Sequence, residues 1–224
     1  NLISIKRIDL NELDGMVAMN SNAESDLIKL TTQNNRELAM EYLPWKFTVD
    51  VLRLNKNHFV FNDNTEPRLS SGMDFAHLDV RHLTLHADKF LFNRDTVTAK
   101  IVKGSMRESS GFVLQQINAD VQYTSKGVRL NNLTLVTPGS EINRSVAVRY
   151  PSIEAIQKNP ELLGLDLDIS NSRIQVKDIL TFVPQLVGQP GFKNPEDILL
   201  LNTRMTGSLT RLYIQELQLS GFEN

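Results

Sequence analysis

The chain has 224 residues, 41% of them apolar and 22% charged, which is enough hydrophobic material for one large β domain or two small ones and excludes wholesale disorder. A formal net charge of -2 leaves no basic footprint, so nucleic acid is excluded as a principal partner. The lack of cysteine removes disulfides, thiol nucleophiles and cysteine metal sites, and no apolar run approaches the roughly 18 to 20 residues of a membrane-spanning helix.

In chain order, Ile3, Ile5, Ile8 and Leu10 open with a strand-like pattern. Ser21 and Glu24 have capping-box spacing, and Leu27, Leu30, Leu38 and Tyr42 supply a helical stripe running up to Pro44. Trp45 is placed to pin the junction into the next strand. Phe47, Val49 and Val51 alternate, and Phe47, Phe59, Phe61, Phe75, Phe90 and Phe92 read as core aromatics. Period-two alternation returns at Val97, Ala99, Ile101, at Ile117, Ala119, Val121, Tyr123, and at Leu165, Leu167, Ile169. Ser152 caps a short helix carrying Ile153 and Ile156 that Asn159 and Pro160 stop. Ile179, Phe182, Val183 and Leu186 share a helical face, but Pro184 would break a helix begun at Asp178, so a start at Thr181 is expected. The Gly- and Pro-rich stretch from Gly188 to Pro195 reads as a joint between two portions of sheet.

A finer signature recurs, with apolar residues at the first, third, sixth and eighth places. It occurs at Ile3 to Leu10, Leu78 to Leu85, Phe112 to Ala119, Val128 to Leu135 and Leu212 to Leu219, and in degraded form at Ile174, Val176, Ile179 and Thr181. A step of three breaks strict alternation and would turn half of a straight strand to the wrong face. One extra residue in a β-bulge resets the phase and bends the strand. The expected fold is therefore mainly β, a curved and twisted sheet of antiparallel strands forming a groove or taco-like stack, with a few short helices. Candidate lining residues for its apolar face are Leu78, Val80, Leu83, Leu85, Val128, Leu130, Leu133 and Leu135. Three segments are expected: 1–44, a strand plus a helical lead-in; 45–150, a first curved portion; and 151–224, short helices and a second portion continuous with the first.

No phosphate loop, dinucleotide fingerprint, zinc-protease pair, calcium loop or nucleophile elbow occurs, so no catalytic, cofactor or metal residue is assigned. His77, His82 and His86 cluster in one strand region and read as surface histidines, and Asp166 and Asp168 as the wet face of a strand. The sequons at Asn132 and Asn143 read as turn residues.

Several stretches resemble the translocation and assembly module family TamB, of the type found in Bacteroidetes, within the AsmA-like superfamily. They are Trp45 to Asp50 followed by Leu52, Leu54 and His58 to Phe61; Gly72 to Phe75 leading into His77 to Val80; Ser110 to Leu114; Gly127 to Leu133; Thr137 to Ser140; and Asn171 to Ile174 ahead of Phe182 to Leu186. The resemblance runs over about residues 45–220. It implies an internal, periplasmic piece of an inner-membrane-anchored envelope protein, and Asn1 and Asn224 are read as cut ends. It further implies a non-enzymatic role in outer-membrane biogenesis: an apolar β-groove that assists outer-membrane protein assembly and secretion and carries phospholipid. The implied partners are an Omp85-type outer-membrane assembly protein, phospholipid acyl chains and the remainder of the same chain, with no cofactor. The residues alone leave open a secreted β-sandwich that binds glycan or protein, and an enzyme on a β-helix if carboxylates gather around Asp166 and Asp168.

Overall fold

The computed structural model describes residues 2–19, 46–93, 96–151, 159–208 and 210–221. The helices expected within 21–44 and 152–158, and Trp45, lie outside those residues.

Eleven strands form one open sheet. They are β1 (Leu2–Asn11), β2 (Asp14–Met19), β3 (Lys46–Asp63), β4 (His77–Phe92), β5 (Thr96–Glu108), β6 (Val113–Thr124), β7 (Gly127–Val136), β8 (Glu141–Arg149), β9 (Gly164–Gln175), β10 (Ile198–Ser208) and β11 (Arg211–Ser220). From β3 to β11 every strand pairs antiparallel with its neighbour in sequence. The N-terminal edge departs from an all-antiparallel stack: β1 and β2 lie end to end along β3 and pair with it in parallel at a constant offset of 44 residues. Sheet pairing crosses residue 150 without a break, because β8 pairs with β9.

The step of three corresponds to an added residue in four of its six copies. In β4 the extra residue is at His82 (φ 52) and in β7 at Asn132 (φ 51), both left-handed, as in one common type of bulge. In β6, Leu114 to Ile117 spans three residues against two of β5, and in β11 Ile214 to Glu216 spans two against one of β10. The first copy, Ile3 to Leu10, carries no shift against β3, whose own Val49-to-Leu52 step matches it in register. The sixth is no strand pair at all: Ile174 is the penultimate residue of β9, and Val176 begins the short helix α1 (Val176–Phe182).

Bulges therefore cross the sheet as a row, with shifts at Leu54/Asn57, Arg81/Thr84, Ile101/Gly104, Asn118/Asp120, Leu130/Leu133, Glu141/Arg144 and Leu201/Thr203. Each bulge takes backbone groups out of the ladder, and a buried orphan would cost about 1 to 3 kcal/mol. Side-chain amides and hydroxyls replace the missing partners. Buried Asn57 accepts from Leu13 N at 2.8 Å and donates to Leu10 O at 3.0 Å, between the paired left-handed residues Glu12 and Lys56. Asn118 donates to Val102 O, Ser172 accepts from Asn143 N at 3.0 Å, Asn202 accepts from Asn171 N at 2.6 Å, and Thr203 donates to Glu216 O at 3.0 Å. Among the described residues no buried side-chain polar atom lacks a partner.

Other expectations change. Asn132 and Asn143 sit inside β7 and β8, not in turns: Asn132 is the left-handed bulge residue of β7, which the short polar side chain of asparagine suits, while in β8 the left-handed residue is Arg144, next to Asn143. Helix α1 starts at Val176, five residues before Thr181, and ends ahead of Pro184, which opens a separate 3-10 turn, Pro184–Leu186. The 188–195 stretch is no joint between sheet portions, since it links β9 to β10, which are paired neighbours.

Candidate apolar groove and its closed end

Alternation with the bulges counted places all eight candidate lining residues on one face of the sheet. Leu85 of β4 pairs with Gly104, Gly104 with Ile117, Ile117 with Leu135, and Leu135 with Ile142, a single row over five strands. At Gly104 a Cβ would lie 2.7 Å from Ile117 Cγ2 and 3.4 Å from Leu85 Cδ1, so this glycine lets the flanking side chains meet above it. A second row joins Val121, Leu130, Val146, Leu167, Met205 and Ile214. Val80 and Leu133 are buried, while Leu78, Leu83, Leu85, Val128, Leu130 and Leu135 are half-buried. Ile117, Val146, Leu167 and Met205 complete the face; their alternation was visible, but which strands flank them was not.

Half-burial over so many large side chains has a simple cause. Among the described residues no second sheet faces this surface, so each side chain is covered only by its sheet neighbours. The aromatic cluster shows the same thing. Phe59, Phe75 and Phe92 are exposed, and the rings of Phe47 and Phe92 meet at a tilt of 49° with centroids 6.1 Å apart, so these rings line a surface where a closed core was expected.

One end of the face is closed. Helix α1 leaves β9 and is tied to the β7–β8 turn by Asp178, which accepts from Thr137 Oγ1 and Ser140 Oγ at 2.5 Å each. Three residues later Thr181 O accepts from Met73 N at 2.7 Å in the β3–β4 loop, and Phe182 packs against Phe112 at 5.1 Å and Phe75 at 6.4 Å. The strands tied together here, β4 and β7, are three spacings or about 14 Å apart along the sheet. From Asp178 to Thr181 the helix rises only about 4.5 Å. The loop and the strand ends must therefore lean toward one another over the apolar face. Gly139 is needed there, since a Cβ would overlap the Gln175 side chain.

The same end carries buried charge. Burial disfavours the Glu108 carboxylate, yet hydrogen bonds from Ser110, from Asp79 N and from Ser109 outweigh it and hold the group below the usual carboxylate range. His77 is buried against Asp74 at 3.0 Å, not a surface histidine as its neighbours suggested, because it pins the long β3–β4 loop to the start of β4. His82 is exposed at its bulge, and His86 reaches Asp88 at 3.2 Å. Among the described residues no three potential ligands gather around a metal position.

The opposite face is polar. Asp166 lies 3.6 Å from Arg129, and Asp168 is held by Arg144 at 3.1 Å and Arg204 at 3.6 Å, so both carboxylates are taken up by ion pairs along the sheet. No family model, curated protein or solved structure matches the chain.

Proposed function

We propose that this chain is a non-enzymatic periplasmic segment of a TamB-like, AsmA-type envelope protein that serves outer-membrane biogenesis, its apolar face acting as a groove for phospholipid acyl chains. On this reading the larger protein is anchored in the inner membrane and works with an Omp85-type outer-membrane assembly protein in protein assembly and secretion.

The observation that supports this reading is the apolar face itself, in phase from β3 to β11 and uncovered by a second layer among the described residues. Those nine strands span about 38 Å at the usual strand spacing. Moving an acyl chain of about 12 methylenes through water costs roughly 10 kcal/mol, and a continuous apolar surface removes most of that barrier. A soluble protein that exposes so wide an apolar surface needs something to cover it. A β-sandwich binding module would cover it with a second sheet, which the described residues do not contain.

The test is native mass spectrometry of the chain purified from bacterial membranes without harsh detergent, followed by lipid extraction and competition with a fluorescent fatty acid. Bound phospholipid that is lost in Leu83→Asp and Leu130→Asp variants, both still folded, is the expected result. A folded, lipid-free wild-type chain that ignores the fatty acid would overturn the reading.

A further inference from the structure

We propose that a cleft at the end of β6 to β9 remote from α1 is a binding site for a phosphate group, held by Lys126, Arg149 and Arg129. The cleft has a volume of about 590 Å³ and is lined by these three cations together with Val128, Val148, Tyr150 and Leu162, with no carboxylate among the described lining residues. That volume falls inside the roughly 300 to 1,000 Å³ of small-molecule sites.

Arg7, Arg81, Arg144 and Arg204 each sit within 4 Å of an aspartate, as does Arg129 with Asp166 at 3.6 Å. Arg149 instead reaches only Thr206 Oγ1, at 3.4 Å, and Lys126 Nζ donates to the Pro151 carbonyl at 3.0 Å. Neither has a carboxylate partner among the described residues, in a chain whose net charge is negative. Setting Asp166 against Arg129 still leaves two cations facing one cavity.

The floor is built from residues with little or no side chain: Gly127, Gly164 and Ala147, the last only 2% exposed. Gly164 lies against Arg149, where a Cβ would meet Cβ and Nε at 3.4 Å, an ordinary contact. Gln122 and Thr124 add neutral donors at the wall, and Pro151 and Leu162 give it an apolar side. Arginine forks and a lysine ammonium that converge on one cavity match a group with several acceptor oxygens and more than one negative charge, which is the chemistry of phosphate. A phospholipid headgroup and a free phosphate both present it. Arg129 and Arg149 alternate to the face opposite Leu130 and Val146, while Val128 and Val148 of the apolar rows also border the cleft; the inference rests on the cations and not on lipid in the groove.

The experiment is isothermal titration of the chain, at near-physiological salt, with inorganic phosphate and with dihexanoyl phosphatidylglycerol below its micelle concentration. Saturable binding of one ligand per chain is expected, weakened at least tenfold by the combined Lys126→Gln and Arg149→Gln changes and unmoved by Arg204→Gln, whose arginine is already paired with Asp168. Both altered side chains are exposed, and matching thermal melts verify the fold. Tighter binding of the lipid assigns the site to a headgroup, and tighter binding of inorganic phosphate assigns it to a free anion. Binding that does not saturate, or that falls equally in all variants, overturns the proposal.

Discussion

Strands β7 and β11 carry the same pattern, Val128, Leu130, Leu133, Leu135 in one and Leu212, Ile214, Leu217, Leu219 in the other, each with an added residue at the step of three. Yet Leu133 is 3% exposed and Leu217 is 49% exposed. Strand β7 lies between β6 and β8, whereas β11 pairs with β10 alone among the described residues. In a sheet without an opposing layer, lateral neighbours supply nearly all of the burial. An identical local pattern therefore marks a buried position in mid-sheet and a wet one at the edge.

Truncation breaks the comparison most sharply. Leu133→Ala is expected to cost about 2 to 5 kcal/mol, the range for a large-to-small change at a buried site, and Leu217→Ala less than about 1 kcal/mol, both read by urea denaturation. Equal losses would mean that β11 is covered in solution.

The bulges come next. Asn132→Val places a β-branched residue at φ 51 and is expected to cost about 1 to 3 kcal/mol, while Asn132→Gly changes stability little beyond the loss of the hydrogen bond to Asp120. The extra residue of β11, Gln215, has no positive φ, so Gln215→Val is expected to be nearly silent in the same assay.

The closed end adds a pH dependence. The folded-state pKa values of Glu108, Asp74 and Asp79 are all depressed, so the stability they supply is present above their unfolded values, near 4, and is lost as pH falls through the lower folded ones. Burial opposes the Asp74 charge but is outweighed by hydrogen bonds from Leu69 N, His77 and Ala76 N; for Asp79 the Arg81 hydrogen bond is the largest cause. Urea midpoints between pH 6 and pH 3 should fall in the wild type and fall less in Glu108→Gln. Smallest of all, amide exchange should separate the two strands without any mutation. Strand β7, hydrogen-bonded on both sides, is expected to be protected, and the outer row of β11 amides to exchange quickly.

Much of this was legible in the chain because it depends on short-range geometry. Alternation set the faces of β5, β6 and β9, and the step of three at Leu78 to Leu85 and Val128 to Leu135 marked bulges, since an added residue is the ordinary way to restore phase within a single strand. The asparagines at positions 57, 118 and 202 were also in view well inside their strands, and their part in replacing ladder bonds could have been suspected from that position. The Ile174 to Thr181 copy misled because four apolar positions fit the end of a strand and the start of a helix equally well.

What the sequence by itself determined is the β class, the phase of most strands and the existence of one apolar face, all consequences of side-chain order over eight or ten residues. Only the tertiary structure decided that β1 and β2 run parallel to β3, that α1 reaches from Asp178 to the β3–β4 loop, and that Lys126, Arg129 and Arg149 share a cleft. Those arrangements join residues up to about a hundred positions apart, and which strand becomes whose neighbour is set by pairing and closure over the whole sheet rather than by any local pattern.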